Sequence, residues 1–291
     1  MPDQPQVECV ADVKAILGEG PIWVPRDAAL YWVDINRSKI FRLDDRGAVR
    51  SWDTPMRIGS IVPRASGGFI AGTNQGLAFI DLDEERFDIF ANPEAELPNN
   101  RFNDGKVDRQ GCFWAGTMDN LEREARGTLY RLDPDGTLTA IDSGYGVTNG
   151  PAFSLDGRRL YENDSSRQVT YVFDLEEAGR PTNRRELIRF GKGDGYPDGM
   201  TVDAEGCLWI AFWDGWCIRR FSPEGECLAE VRTPVQRPTS CMFGGDSLKT
   251  LFITSARRDL KGTDLANQPL AGGLFAADVG VSGIAELPFA G

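Results

Sequence analysis

One unit of sequence recurs six times along the chain, and a chain built this way buries its apolar residues by packing like units against each other. The unit is a short apolar stretch, a turn containing glycine, and a second stretch rich in aromatic and β-branched residues. Its first copy runs from Gly20-Pro21-Ile22-Trp23 to Ala29-Leu30-Tyr31-Trp32-Val33-Asp34, and its second from Gly59-Ser60-Ile61-Val62 to Gly67-Gly68-Phe69-Ile70-Ala71-Gly72-Thr73. The third joins Asp104-Gly105-Lys106-Val107 to Gly111-Cys112-Phe113-Trp114-Ala115-Gly116-Thr117, and the fourth joins Gly150-Pro151-Ala152-Phe153 to Gly157-Arg158-Arg159-Leu160-Tyr161. Gly199-Met200-Thr201-Val202 leads to Gly206-Cys207-Leu208-Trp209-Ile210-Ala211, and Ser240-Cys241-Met242-Phe243 to Lys249-Thr250-Leu251-Phe252-Ile253-Thr254. The equivalent aromatics Tyr31, Phe69, Phe113, Tyr161, Trp209 and Phe252 stand 38, 44, 48, 48 and 43 residues apart.

After most copies come a third strand pattern, such as Lys39-Ile40-Phe41-Arg42-Leu43, an Asp/Gly turn and a fourth strand. Four strands at a period of roughly 40–50 residues describe a propeller blade. The sequence therefore predicts an all-β, six-bladed β-propeller with four-stranded blades around a central channel. It fills residues 1–291 as a single domain, with an N-terminal strand at about 7–13 closing the last blade. A large β-sandwich is the competing architecture, and the period and the repeated order of strand types argue against it.

Composition removes several functions. The chain has no histidine, which excludes Ser-His-Asp and Cys-His catalysis and His-ligated zinc. A net charge of −12 argues against nucleic-acid or anionic-membrane partners, which require clustered cations. No apolar run approaches the roughly 18 residues of a membrane span, and the polar start Met1-Pro2-Asp3-Gln4-Pro5 lacks the build of a signal peptide. A cytoplasmic, monomeric protein is expected. The six cysteines form no C-x-x-C pair and read as reduced, packed thiols.

The first strand of a blade lines the channel, so the residue just before it faces one mouth. At that place stand Glu19, Asn103-Asp104, Asn149 and Asp198, with Ile58 and Pro238-Thr239 in the remaining two blades. Any one of these is an ordinary turn former. Brought together around one axis, the carboxylates would repel each other and raise one another's pKa unless a cation joined them. Glu, Asn and Asp oxygens suit a hard divalent ion, and three protein ligands leave room for water and substrate. Glu19, Asn149 and Asp198 are the expected metal ligands. Ca²⁺ fits best by ligand type, with Mg²⁺, Mn²⁺, Zn²⁺ or Fe²⁺ as alternatives.

Several segments resemble the SMP-30/gluconolactonase/LRE family of six-bladed propellers, which includes regucalcin and sugar-acid lactonases. They are Leu17-Gly18-Glu19-Gly20-Pro21-Ile22-Trp23, Asn100-Arg101-Phe102-Asn103-Asp104-Gly105-Lys106-Val107-Asp108, Gly116-Thr117-Met118, Thr148-Asn149-Gly150-Pro151 and Tyr196-Pro197-Asp198-Gly199-Met200, in the family's order from about residue 8 to 280. The resemblance places the family's metal ligands on Glu19, Asn149 and Asp198, and its sugar-contacting residues on Arg101 and Asn103. It implies a metal-dependent hydrolase of small sugar-acid lactones, with Asp198 as the base that activates water. An esterase or organophosphatase of the same architecture, or a non-enzymatic calcium-binding propeller, are the other readings. Two departures stand out. The segment Asp119-Asn120-Leu121-Glu122-Arg123-Glu124 leaves open whether Asp119, Glu122 or neither takes the role of the glutamate that touches sugar in some members. The fourth blade reads Tyr161-Glu162-Asn163-Asp164-Ser165, where relatives more often carry Thr before Asp-Ser, a change ascribed to channel packing. Leu121 to Arg126 is a candidate lid helix, and Trp213 and Trp216 are read as blade packing before sugar stacking.

Overall fold

A computed structural model describes residues 5–176 and 179–291. Six antiparallel four-stranded sheets are arranged as a six-bladed β-propeller. The inner strands are Gly18–Val24, Ile58–Pro63, Asn100–Val107, Thr148–Phe153, Tyr196–Val202 and Pro238–Gly244, buried throughout except for Tyr196 at one mouth. The second strands carry the repeated aromatics, and the outermost strands, such as Val49–Asp53 and Arg86–Ala91, are mostly exposed. Among the described residues the one α-helix is Thr263–Asn267, and no helix is long and apolar enough to cross a membrane.

The period of the sequence follows from where these aromatics go. Each blade offers two faces to its neighbours, and rings from adjacent blades meet across the gap: Tyr31 with Phe69 at 4.9 Å, Trp114 with Phe153 at 5.7 Å, Trp209 with Phe243 at 5.8 Å, and Trp23 with Phe252 at 6.3 Å. Such pairs add to the stabilisation from area burial alone. The last blade takes its outer strand from the other end of the chain, Glu8–Ala11 pairing with Leu274–Asp278.

Blades three and five share a polar device. Asp108 Oδ1 accepts from the backbone N–H groups of Gln110 and Cys112, and its Oδ2 accepts from Trp114 Nε1 at 2.8 Å. Asp203 repeats this with Glu205, Cys207 and Trp209 Nε1 at 2.9 Å, and also takes Arg220 Nε at 2.8 Å. One carboxylate thus closes the Gly-Cys turn and satisfies a buried indole. Asp203→Ala leaves Trp209 Nε1 and two turn N–H groups without their acceptor. The expected loss is about 3 kcal/mol, above the roughly 1 kcal/mol of a single hydrogen bond; a urea midpoint within error of wild type would refute it. All six cysteines are free thiols, four of them buried.

Every inner strand carries a one-residue irregularity near its start. Between Glu19 and Ile22 the first strand spends three steps against two on its partner, from Val33 to Tyr31, and the same count recurs after Phe102, Asn149 and Pro197. Bulges of this kind bend the strand and re-aim side chains. They place Asn103, Asp104 and Asp198 outside the paired register, while Glu19 and Asn149 stay paired, with Val33 and Asn163, directly before the bulge.

Candidate functional site

Glu19, Arg101, Asn103, Asn149 and Asp198 come from four inner strands and line one cavity of about 610 Å³. All five are buried, between 3% and 6% exposed. Glu19 accepts from the backbone N–H of Gly20 at 3.1 Å. Its carboxyl is pushed up to about 8, first by burial and then by Asp104, with the Gly20 N–H and Arg101 opposing. Burial, then Glu19 and Asp104, hold the Asp198 carboxyl well above the usual carboxylate range. Beneath them Asp104 accepts from Gly105 N at 2.8 Å and Gly150 N at 3.3 Å. Burial raises it to about 6, with Lys106 opposing. The Lys106 ammonium donates to Met200 O at 2.5 Å, which places a cation inside the channel.

The amides are locked in order. Asn103 Nδ2 donates to Thr148 O at 2.7 Å and to Asn149 Oδ1 at 2.8 Å, and Asn149 Nδ2 donates to Ser165 Oγ at 2.8 Å. Arg101 is braced through Nε on Asn120 Oδ1 at 3.0 Å and through Nη1 on Phe102 O and Asn103 Oδ1 at 3.1 and 2.6 Å. Burial lowers its guanidinium to about 10, so it stays charged at neutral pH. Among the described residues Nη2 has no protein partner and is left to a ligand.

Two carboxylates that repel each other in a buried pocket, beside an amide oxygen with a lone pair to spare, are donors that could hold a hard cation. No group of three or more Asp, Glu or Cys side chains is placed to hold a metal among the described residues. The Glu19, Asn149 and Asp198 set is two carboxylates and one neutral oxygen.

The mouth differs from expectation. Leu121 to Arg126 is not a lid helix but an irregular loop. Asp119 accepts from the backbone N–H groups of Leu121, Arg123 and Glu124, and Glu122 takes a positive φ of 53°, which a right-handed helix does not admit. Asp119 therefore shapes the loop, whereas Glu122 faces the cavity and pairs with Arg258 at 3.0 Å. That pair spans the mouth from blade three to blade six, on opposite sides of the ring. Trp213 lies in the cavity wall under the Arg237 guanidinium, 4.7 Å from its ring centre, while the half-exposed Trp216 lies outside the cavity lining. The sequence assigns no role to Arg258, Arg237 or Ser165, which line the cavity. Ser165 sits in the Asn163-Asp164-Ser165 segment, whose polarity was the available signal; the two arginines come from loops with no repeat to mark them.

A family profile described as "SMP-30/Gluconolactonase/LRE-like region" matches residues 17–257. The chain belongs to this family. It is similar to 6-deoxy-6-sulfogluconolactonase of Pseudomonas putida, 38% identical over 98% of this chain and 99% of that protein. Regucalcin of Danio rerio is 37% identical over 98% and 99% of the two chains. Among solved structures, a calcium-binding protein, regucalcin, from Agrobacterium tumefaciens superposes with a TM-score of 0.93 at 25% identity, over 99% of this chain and 97% of that one. Membership in the SMP-30/gluconolactonase/LRE-like family thus spans the blades that carry every side chain of the cavity floor.

Proposed function

We propose that the protein is a metal-dependent hydrolase that opens sugar-acid lactones to aldonic acids. One observation carries this reading: a single cavity joins a buried oxygen-donor set to a charged, hydrogen-bonding arm made by Arg101 and Asn103. The likeness to 6-deoxy-6-sulfogluconolactonase supports a gluconolactone-type ring, and the likeness to a calcium-binding regucalcin supports Ca²⁺ among the fitting ions.

A divalent ion held by Glu19, Asn149 and Asp198 would supply Lewis-acid stabilisation of negative charge on the lactone oxygen. Asp198 would take the proton of the attacking water on its carboxylate and return it to the departing ring oxygen. Arg101 offers the two N–H groups of Nη2 to sugar hydroxyls. Asn103 has both hydrogens spent on Thr148 O and Asn149 Oδ1, so toward the sugar it can only accept, through Oδ1. Together they orient the ring and fix the carbonyl face that water meets.

A pH-indicator assay against pentono- and hexonolactones, with EDTA and metal add-back, tests this. The expected result is lactone opening that chelation abolishes and a divalent ion restores. Full activity under EDTA would remove the metal from the reaction, and ion binding without turnover on any lactone would favour a calcium-binding propeller.

A further inference from the structure

The hydrogen bonds of the cavity floor run in one direction. Arg101 can only donate, and it donates to Asn103 Oδ1 at 2.6 Å; Asn103 donates to Asn149 Oδ1, and Asn149 to Ser165 Oγ. Ser165 Oγ then donates to Pro197 O at 2.6 Å, a carbonyl that can only accept. Ser165 has a single hydroxyl hydrogen, and Pro197 O holds it. Toward Asn149 the hydroxyl can therefore only accept, and the Asn149 amide must present Nδ2 to Ser165 and Oδ1 to the cavity side. The other end of the chain gives the same answer. Thr148 O is also acceptor-only, so Asn103 must turn its Nδ2 away from Arg101 and toward Asn149. A flipped Asn149 would set Nδ2 against Asn103 Nδ2 and turn N–H groups, which cannot ligate a cation, toward Glu19 and Asp198.

We propose that Ser165 is a positioning residue for the cation site: it locks the Asn149 amide with Oδ1 inward and ties that ligand to the strand that carries Asp198. This rests on the metal-dependent reading above. The residue is well placed for the task. Ser165 is 8% exposed and opens the one-turn 3-10 helix Ser165–Arg167, whose preceding residue Asp164 caps it by accepting from Arg167 N. Its acceptor, Pro197, directly precedes Asp198. A parallel tie holds the next peptide: Asn163 Nδ2 donates to Asp198 O at 2.6 Å, and Thr170 Oγ1 fixes the Asn163 amide by donating to its Oδ1 at 2.6 Å. Blades four and five thus meet at the cation site through two oriented side chains. Ser165 acts on Asn149, and Asn149 faces the ion.

The test is calorimetric titration of Ca²⁺ alone into metal-free wild type, Ser165→Ala and Ser165→Thr, with the melting temperature of each metal-free protein measured alongside. Ser165→Ala is expected to weaken Ca²⁺ binding about 10- to 100-fold, the usual effect of losing a group that orients a metal ligand. Ser165→Thr, which keeps the hydroxyl, should stay within about threefold of wild type on the same scale. The melting temperatures should not follow this order, as they would if Ser165 were only part of the scaffold. Equal Ca²⁺ affinity in wild type and Ser165→Ala overturns the proposal and leaves the hydrolase reading standing. A wild type that binds no divalent ion instead defeats the hydrolase reading and this role with it. If Ser165→Ala does not fold, wild type alone decides through the side-chain amide of Asn149 in ¹⁵N spectra, identified by its loss in Asn149→Asp. Slow hydrogen exchange with and without Ca²⁺ supports the lock, and exchange as fast as an exposed asparagine refutes it.

Discussion

Asp198→Asn is expected to lower kcat by about 10²–10⁴-fold, the range typical of losing a general base, while keeping measurable affinity for a divalent ion. The amide retains an oxygen donor but cannot accept the proton of the attacking water. Asp198→Ala should abolish both, since the proposed mechanism gives ligand and base to the same side chain. The comparison is clean because the scaffold holds this residue by its backbone: Asn163 grips Asp198 O, and the side chain lies in the bulge between Pro197 and Met200, outside the paired register. Steady-state kinetics on a cleaved lactone and ion titration of both variants check it. A near-normal kcat in Asp198→Asn would move the base role, and Glu19 is the other carboxyl on the cavity floor.

The second large effect concerns Glu162, which is 1% exposed on the second strand of blade four. Neither of its carboxyl oxygens has a hydrogen-bond partner among the described residues. Burial, followed by Asp104, Asp142 and Asp164, raises its carboxyl well above 4.5, and Arg184 relieves only part of this. A carboxyl whose folded pKa exceeds its unfolded one keeps its proton in the native state after the unfolded chain has released it. Stability therefore falls as pH rises above the unfolded value, by on the order of 1 kcal/mol per pH unit, until the folded group itself titrates. Glu162→Met removes this penalty at similar volume. It should raise the melting temperature by several degrees at pH 8 and by clearly less at pH 5. Equal gains at both values, or a loss at pH 8, would show that Glu162 is ionised and compensated in the folded protein.

The blades were legible because the second strand of each buries a large aromatic, so Tyr31, Phe69, Phe113, Tyr161, Trp209 and Phe252 recur at a blade's length. That Glu19, Asn149 and Asp198 share one cavity was legible for the same reason. Glu19, Asn149 and Asp198 occupy equivalent places in the repeat, and equivalence turns distance along the chain into proximity in space. Where the repeat gives no guidance, sequence reading fell short. The Leu-Glu-Arg-Glu-Ala-Arg run looks helical by propensity, yet Glu122 turns the backbone to a positive φ and the segment folds as a loop around the Asp119 carboxylate. The Glu122–Arg258 pair joins loops of opposite blades, and nothing local in either loop announces its partner. Ser165 gives no signal of its own in the sequence, because what matters is the direction of its hydrogen bonds, which a residue type alone does not specify.

The extra residue at the start of each inner strand has an evolutionary corollary. Asn103, Asp104 and Asp198 occupy positions that the sheet does not pair, so their side chains can be exchanged without unzipping a ladder. At these three positions side-chain chemistry is separated from strand pairing, whereas Glu19, Arg101 and Asn149 carry both. A lineage of such proteins can therefore rewrite its reaction one substitution at a time at these positions. Deleting a single residue there forfeits that freedom, because the strand would slide by one and turn its core residues toward the channel.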